Sequence, residues 1–183
     1  MTADLGSPAA QHGEPWTFAA RDEDDTEKLG RALGKALGRG GVVALIGPLG
    51  AGKTRLVQSI AAELGADRHA VNSPTFVLIQ EYDASLPIFH CDTYRLRSVD
   101  EFLDLGVDEM FQSGGVFLIE WADRVTPVLP ADRLQIEIDV TGETARTFRF
   151  TALGPLNAGL GPVSAGVLSD VRASFASSSR PDA

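Results

Sequence analysis

The sequence predicts an α/β fold in which helices cover both faces of a mixed central sheet and an antiparallel hairpin closes its C-terminal end. Three observations carry this expectation. Short apolar runs alternate with segments of helical periodicity. A glycine-rich turn joins one such run to a helix, and the last two periodic segments alternate residue by residue around Thr141-Gly142-Glu143-Thr144.

Taken in order, residues 1–15 are rich in Gly, Pro and Ala and are expected to form a flexible N-terminal tail ahead of a domain over 16–152. The acidic run Asp22 to Glu27 leads into Leu29, Leu33 and Leu37, four apart. It therefore reads as the solvated, dipole-favoured start of an amphipathic helix that ends near Gly38 and Gly40. Val42 to Ile46 is a buried-type strand, and Thr54 to Leu64 continues as a helix with Leu56, Ile60 and Leu64 on one face. Phe76 to Tyr82 and Ile88 to Asp92 read as two further strands. Ser98 followed by Glu101 has the spacing of a capping box and should open a helix. Val116 to Glu120 is another buried strand. The hairpin follows from Leu134, Ile136, Ile138 and Val140 on one side of the turn and Phe148 and Phe150, within Arg146 to Ala152, on the other. Residues 153–183 have the composition of a C-terminal tail. A short helix over 163–175 places Val167, Leu168, Val171 and Phe175 on one side and is weakened by Gly166.

Bulk composition narrows the function. With 183 residues, 44% of them hydrophobic, the chain can bury one substantial core. A formal charge of −9 makes the surface as a whole repel phosphate backbones, so any RNA in its biology is expected to be held by a partner. The single cysteine, Cys91, excludes an internal disulfide framework and a multi-cysteine zinc site. The first fifteen residues carry no positive n-region with an apolar stretch, and no segment approaches the roughly 20 apolar residues that cross a bilayer. A cytoplasmic location without membrane association is the expectation.

The strongest signal is Gly47-Pro48-Leu49-Gly50-Ala51-Gly52-Lys53-Thr54, which satisfies G-x-x-x-x-G-K-[ST] between a strand and a helix. Glycines let successive amides, and then the helix N-terminus, face one anion. Lys53 can set a compact positive charge against the β and γ phosphates, and the Thr54 hydroxyl can ligate Mg²⁺. The fold class that follows is the three-layer sandwich of P-loop NTPases. Such a site needs carboxylates near the metal, and two apolar strands supply them. Asp92 closes one and Glu120 the other. Either can hold Mg²⁺ while the other orients or deprotonates the attacking water, and the pattern alone leaves the two roles open. A lone strand-end carboxylate more often caps a helix or meets an arginine; two such strands beside a P-loop reverse that preference.

Ser73-Pro74-Thr75-Phe76, His90-Cys91-Asp92-Thr93-Tyr94-Arg95 and Glu120-Trp121 occur in that order after a P-loop written LGAGKT. Together they resemble the TsaE family over residues 16 to 152. The resemblance implies an ATP-binding, ATP-hydrolysing protein that assists TsaD and TsaB, the pair that transfers threonylcarbamoyl to tRNA, with tRNA met only through that complex. It assigns Thr54 and Glu120 to Mg²⁺, Lys53 and the surrounding loop to the phosphates, and Gly47, Gly50, Ala51, Gly52, Lys53, Thr54, Arg55 and Trp121 together to nucleotide binding. Asp92 goes to the hydrolytic centre beside Glu120, Thr75 to a switch-like segment that senses the γ phosphate, and Trp121 to the mouth of the site. Pro48 departs from the family, which often has an acidic residue there.

Single residues also have plainer readings. His90 fits a hydrogen-bonded strand residue as well as a base, Cys91 a small buried hydrophobe, and Arg95 a salt bridge to Glu101 or Asp104 as well as a phosphoryl contact. A small-molecule P-loop kinase is the competing function. It calls for an arginine-rich lid, and the arginines after Glu120 are dispersed. A GTP-dependent switch would carry Asn-Lys-x-Asp, which is missing; the lysines are Lys28, Lys35 and Lys53.

Overall fold

The computed structural model describes residues 10–11, 15–67, 69–74, 77–154 and 163–176. Its strands are β1 (Ala10–Gln11), β2 (Trp16–Ala20), β3 (Val42–Ile46), β4 (Ile79–Tyr82), β5 (Ile88–Asp92), β6 (Val116–Glu120), β7 (Arg133–Val140) and β8 (Arg146–Gly154). The helices are α1 (Glu23–Ala36), α2 (Lys53–Glu63), α3 (Val99–Leu103), α4 (Val107–Gln112) and α5 (Val163–Ala176). One mixed sheet runs β1-β8-β7-β3-β6-β5-β4, with β2 also on β8. Around β3 the neighbours β6 and β7 are parallel, as are β5 and β6, whereas β4 on β5, β7 on β8 and β2 on β8 are antiparallel.

Two hydrophobic clusters, one on each face of the sheet, make the sandwich. Val43, Leu45, Leu118 and Ile136 pack with Leu29 and Leu33 of α1, Leu56 and Ile60 of α2, and Val167, Leu168 and Val171 of α5. Their strand neighbours Val42, Ala44, Phe117 and Ile119 pack oppositely with Phe102 of α3 and Val107 of α4. Alternation therefore sends 116, 118 and 120 to the α2 face, along with 88, 90 and 92. That parity aims Glu120, His90 and Asp92 at the start of α2.

Where α1 crosses α2, small residues let the backbones meet. A Cβ added at Gly30 would stand 2.4 Å from the Ser59 Cβ, and one at Gly34 2.7 Å from that of Glu63. The entry to α1 is fixed by Asp22, whose side chain accepts from the Asp25 amide. Asp25 in turn takes bonds from Arg21 and Lys28, which hold its carboxyl well below the usual range.

Several expectations are corrected. Residues 10–11, placed in a flexible tail, form β1 against Leu153 and Gly154 of β8. Beyond residue 152 the expected tail is packed in part, and the short helix expected over 163–175 is present as α5. Leu153 and Gly154 continue β8, and Val167, Leu168 and Val171 lie at 4%, 4% and 0% exposure, because α5 supplies apolar cover for α1 and the hairpin. The strand expected from Phe76 begins only at Ile79. Val77 and Leu78 both donate amides to the Pro74 carbonyl, and Leu78 sits at φ +66, so the chain is still turning there. Ser98 caps α3 as expected, but Glu101 accepts from the Arg97 amide rather than closing the box on Ser98.

Candidate functional site

Strand β3 ends at Ile46 and the chain turns immediately. A Cβ at Gly47 would meet the Ile138 carbonyl at 2.7 Å, so only glycine lets the loop leave this close to β7. Gly50 and Gly52 have φ of +77 and +96, and α2 starts at Lys53 with no side-chain cap. The first amides of α2 are thus left for a ligand, with the positive end of the helix dipole behind them.

A cleft of about 450 Å³ opens over this loop, a size suited to a small-molecule ligand. Gly50, Ala51, Gly52, Lys53 and Thr54 line it on one side and Ser73, Asp92, Glu120 and Trp121 on the other. The ammonium of Lys53, 4% exposed, donates to the carbonyls of Gly47 at 2.7 Å and Pro48 at 2.9 Å and lies 3.6 Å from the centre of the Trp121 ring. Burial lowers its pKa, opposed by the charges of Glu120, Asp92 and Asp123. An arriving anion therefore meets a desolvated cation held by weak partners.

Parallel pairing puts Asp92 opposite Glu120 at the ends of β5 and β6, and Glu120 opposite Leu45 of β3. The Thr54 hydroxyl donates to Glu120 at 2.8 Å from Oε1 and 3.0 Å from Oε2. On its other side Oε1 lies 2.8 Å from Nε2 of His90, a fully buried residue. An ionised carboxylate only accepts, so Nε2 carries the hydrogen. His90 thus braces a site carboxylate from behind and does not line the cleft. Asp92 accepts from the Ser73 hydroxyl and the Tyr94 amide. Trp121, at φ +59, turns the chain sharply after β6, and the Thr93 hydroxyl holds that turn through the carbonyls of Glu120 and Trp121. The ring of Tyr94 lies 4.8 Å from that of Trp121, tilted by 43°.

Of the residues singled out in the sequence, the structure gathers Gly50, Ala51, Gly52, Lys53, Thr54, Asp92, Glu120 and Trp121 around one cleft. Gly47 contributes its carbonyl to Lys53 from the foot of the loop. The Arg55 side chain is placed elsewhere. One step further round α2, its guanidinium pairs with Glu23 at 2.9 Å and Glu27 at 2.7 Å on α1, while its amide stays in the first turn of α2 beside the loop. Thr75 lies outside the described residues. Cys91 points to the opposite face, where burial pushes its thiol up to about 12. Sequence reasoning missed Ser73 as a partner of Asp92, although it had placed the residue in a motif. It also missed Arg146, whose contact with the loop comes from the far end of the chain.

The donors at the cleft are all oxygens, which suits a hard divalent cation such as Mg²⁺. Among the described residues no three His, Cys, Asp or Glu side chains gather to hold a metal unaided. A magnesium ion carried by one or two carboxylates together with substrate phosphates needs no such group. Among the same residues no helix is long and apolar enough to cross a membrane.

The model of the TsaE family, threonylcarbamoyl adenosine biosynthesis protein TsaE, matches residues 20–148. The chain is 44% identical over 132 residues to the tRNA threonylcarbamoyladenosine biosynthesis protein TsaE of Bacillus subtilis, a match spanning 72% of this chain and 82% of that protein. To the protein of the same name from Streptomyces coelicolor it is 40% identical over 131 residues, 69% of this chain and 87% of the relative. The crystal structure of Bacillus subtilis YdiB superposes with a TM-score of 0.71 at 30% identity, covering 88% of this chain and 97% of the other. By sequence and by fold, the chain belongs to the TsaE family of threonylcarbamoyl adenosine biosynthesis proteins.

Proposed function

We propose that the chain is a magnesium-dependent ATP-binding and ATP-hydrolysing protein that serves tRNA threonylcarbamoyladenosine modification by assisting TsaD and TsaB, without performing the transfer. The observation that carries this reading is the Thr54 hydroxyl within 3.0 Å of both Glu120 oxygens at the foot of a glycine-rich loop. A hydroxyl and a carboxylate brought together there form a ready pair of magnesium ligands. Thr54 and Glu120 would hold Mg²⁺, which would supply neutralisation of phosphate charge.

The protein's own residues do the rest. The loop amides and the start of α2 bind phosphate oxygens, and Lys53 exchanges the carbonyls of Gly47 and Pro48 for the stronger anion. Asp92, which accepts from Ser73 and the Tyr94 amide, is the group assigned here to orient or deprotonate the attacking water. Thr75 is assigned to sensing the γ phosphate. Trp121 and Tyr94 form an aromatic wall at the opening.

Among the described residues no arginine lines the cleft, so hydrolysis by the chain alone is expected to be weak. Leu49, 81% exposed on the loop, and Tyr94, 42% exposed, favour a protein partner over the opening. The charge of −9 favours contact with tRNA only through the complex, in the cytoplasm. The test is ATP hydrolysis by the purified chain with and without TsaD and TsaB. Stimulation by the pair supports the proposal. Unstimulated turnover, or phosphoryl transfer to a small acceptor, would favour the kinase reading.

A further inference from the structure

Arg146 opens β8, directly after the hairpin turn, yet its guanidinium reaches the phosphate loop. Nε donates to the Ala51 carbonyl at 3.2 Å and Nη2 to the Gly50 carbonyl at 3.1 Å. Nη1 donates to carbonyls of the turn itself, at 2.8 Å for Ala145, 3.1 Å for Gly142 and 3.4 Å for Glu143. One planar fork therefore joins two backbone segments about 95 residues apart in sequence. All these acceptors are neutral carbonyls, so the positive charge lies against the loop without a carboxylate among them.

We infer that Arg146 is a positioning residue of the phosphate site, fixing the orientation of the loop peptides that bind the anion. The inference rests on the reading that this loop takes phosphate. In a trans peptide the C=O and N–H point in opposite directions. Holding the Ala51 carbonyl from the hairpin side therefore sends the Gly52 N–H the other way, and Gly52 lines the cleft. Holding the Gly50 carbonyl fixes the Ala51 N–H in the same manner, and that N–H donates to the Pro48 carbonyl at 3.2 Å, closing the inner turn. The pinned peptides are flanked by Gly50 and Gly52, the residues with the most backbone freedom to lose. Ordering them before the ligand arrives removes part of the entropic cost of binding. Lysine cannot reproduce this, because its point charge lacks the fork that spans two carbonyls and a turn.

The experiment compares magnesium–ADP affinity by titration calorimetry for the wild type, Arg146→Ala and Arg146→Lys, with thermal unfolding of each. The alanine variant is then titrated again in low-millimolar guanidinium chloride. Affinity is expected to fall about tenfold or more in Arg146→Ala and by less in Arg146→Lys. Guanidinium should recover several-fold of the loss in the alanine variant and leave the wild type unchanged, a response that a merely structural residue would not give. If Arg146→Ala does not fold, Arg146→Gln takes its place in the same comparison. Affinity within about twofold of wild type, or a loss that guanidinium does not relieve, overturns the inference. Failure of the wild type to bind nucleotide overturns the proposed function instead.

Discussion

Glu120→Gln isolates the charge of the proposed magnesium ligand. Oε1 of Glu120 stands 2.8 Å from both the Thr54 hydroxyl and the His90 Nε2, and Oε2 stands 3.0 Å from Thr54. Glutamine keeps this shape. Its carbonyl oxygen can accept from His90, and its amide can donate to Thr54, whose hydroxyl turns to accept. The fold should survive, and the main loss is one negative charge on a side chain 3% exposed. A unit charge pair about 4 Å apart at an effective dielectric constant near 20 is worth about 4 kcal/mol. Desolvation of the carboxylate offsets part of it, leaving about 3 kcal/mol, or about 150-fold in magnesium affinity. The assay titrates magnesium into the protein holding a fluorescent ATP analogue and repeats the nucleotide titration in chelator. Without metal the variant should bind the analogue as well as the wild type or better, since a carboxylate facing phosphate has been neutralised. A change in magnesium affinity below about threefold would refute the assignment.

Other expectations separate the remaining parts. Asp92→Ala should retain nucleotide affinity and lower partner-stimulated hydrolysis by about 10²-fold or more, measured as phosphate release. Leu168→Ala should lower unfolding free energy by about 2–4 kcal/mol in denaturant titration, whereas a residue on a loose tail would change it hardly at all. The carboxyl of Asp25 has a depressed pKa in the fold, so its stabilisation is present above the ordinary value of 3.8 and lost as pH falls below it. Asp25→Asn should therefore reduce stability at pH 7 and flatten the acid limb of the pH–stability curve.

The centre of the fold was legible in the residues because buried parallel strands must be apolar throughout. Val42–Ile46, Ile88–Asp92 and Val116–Glu120 stand where the sequence places them. The site followed, since residues that end those strands and open the next helix have little choice of position. What escaped depended on distant partners. Trp16 and Phe18 alternate with Thr17 and Ala19, a strand signal hidden by a short, glycine-rich lead; only β8 gives that strand an edge to join. The helix α5 and its apolar side of Val167, Leu168, Val171 and Phe175 could be read in the residues, but its packing against α1 and the hairpin could not, because the surrounding composition resembles a linker. The guanidinium of Arg55 turns to α1 because adjacency to Thr54 in the chain becomes a different direction on a helix. The grip of Arg146 on the loop is set by tertiary register alone.

The central claim is that a metal-bound triphosphate occupies the cleft over Gly47 to Thr54. Co-crystals with a non-hydrolysable ATP analogue and Mn²⁺, read by anomalous diffraction, test it most directly. The account expects one manganese peak in contact with the Thr54 hydroxyl and a Glu120 oxygen, with Lys53 on the terminal phosphates. Nucleotide bound elsewhere, or a metal that touches neither Thr54 nor Glu120, would contradict it.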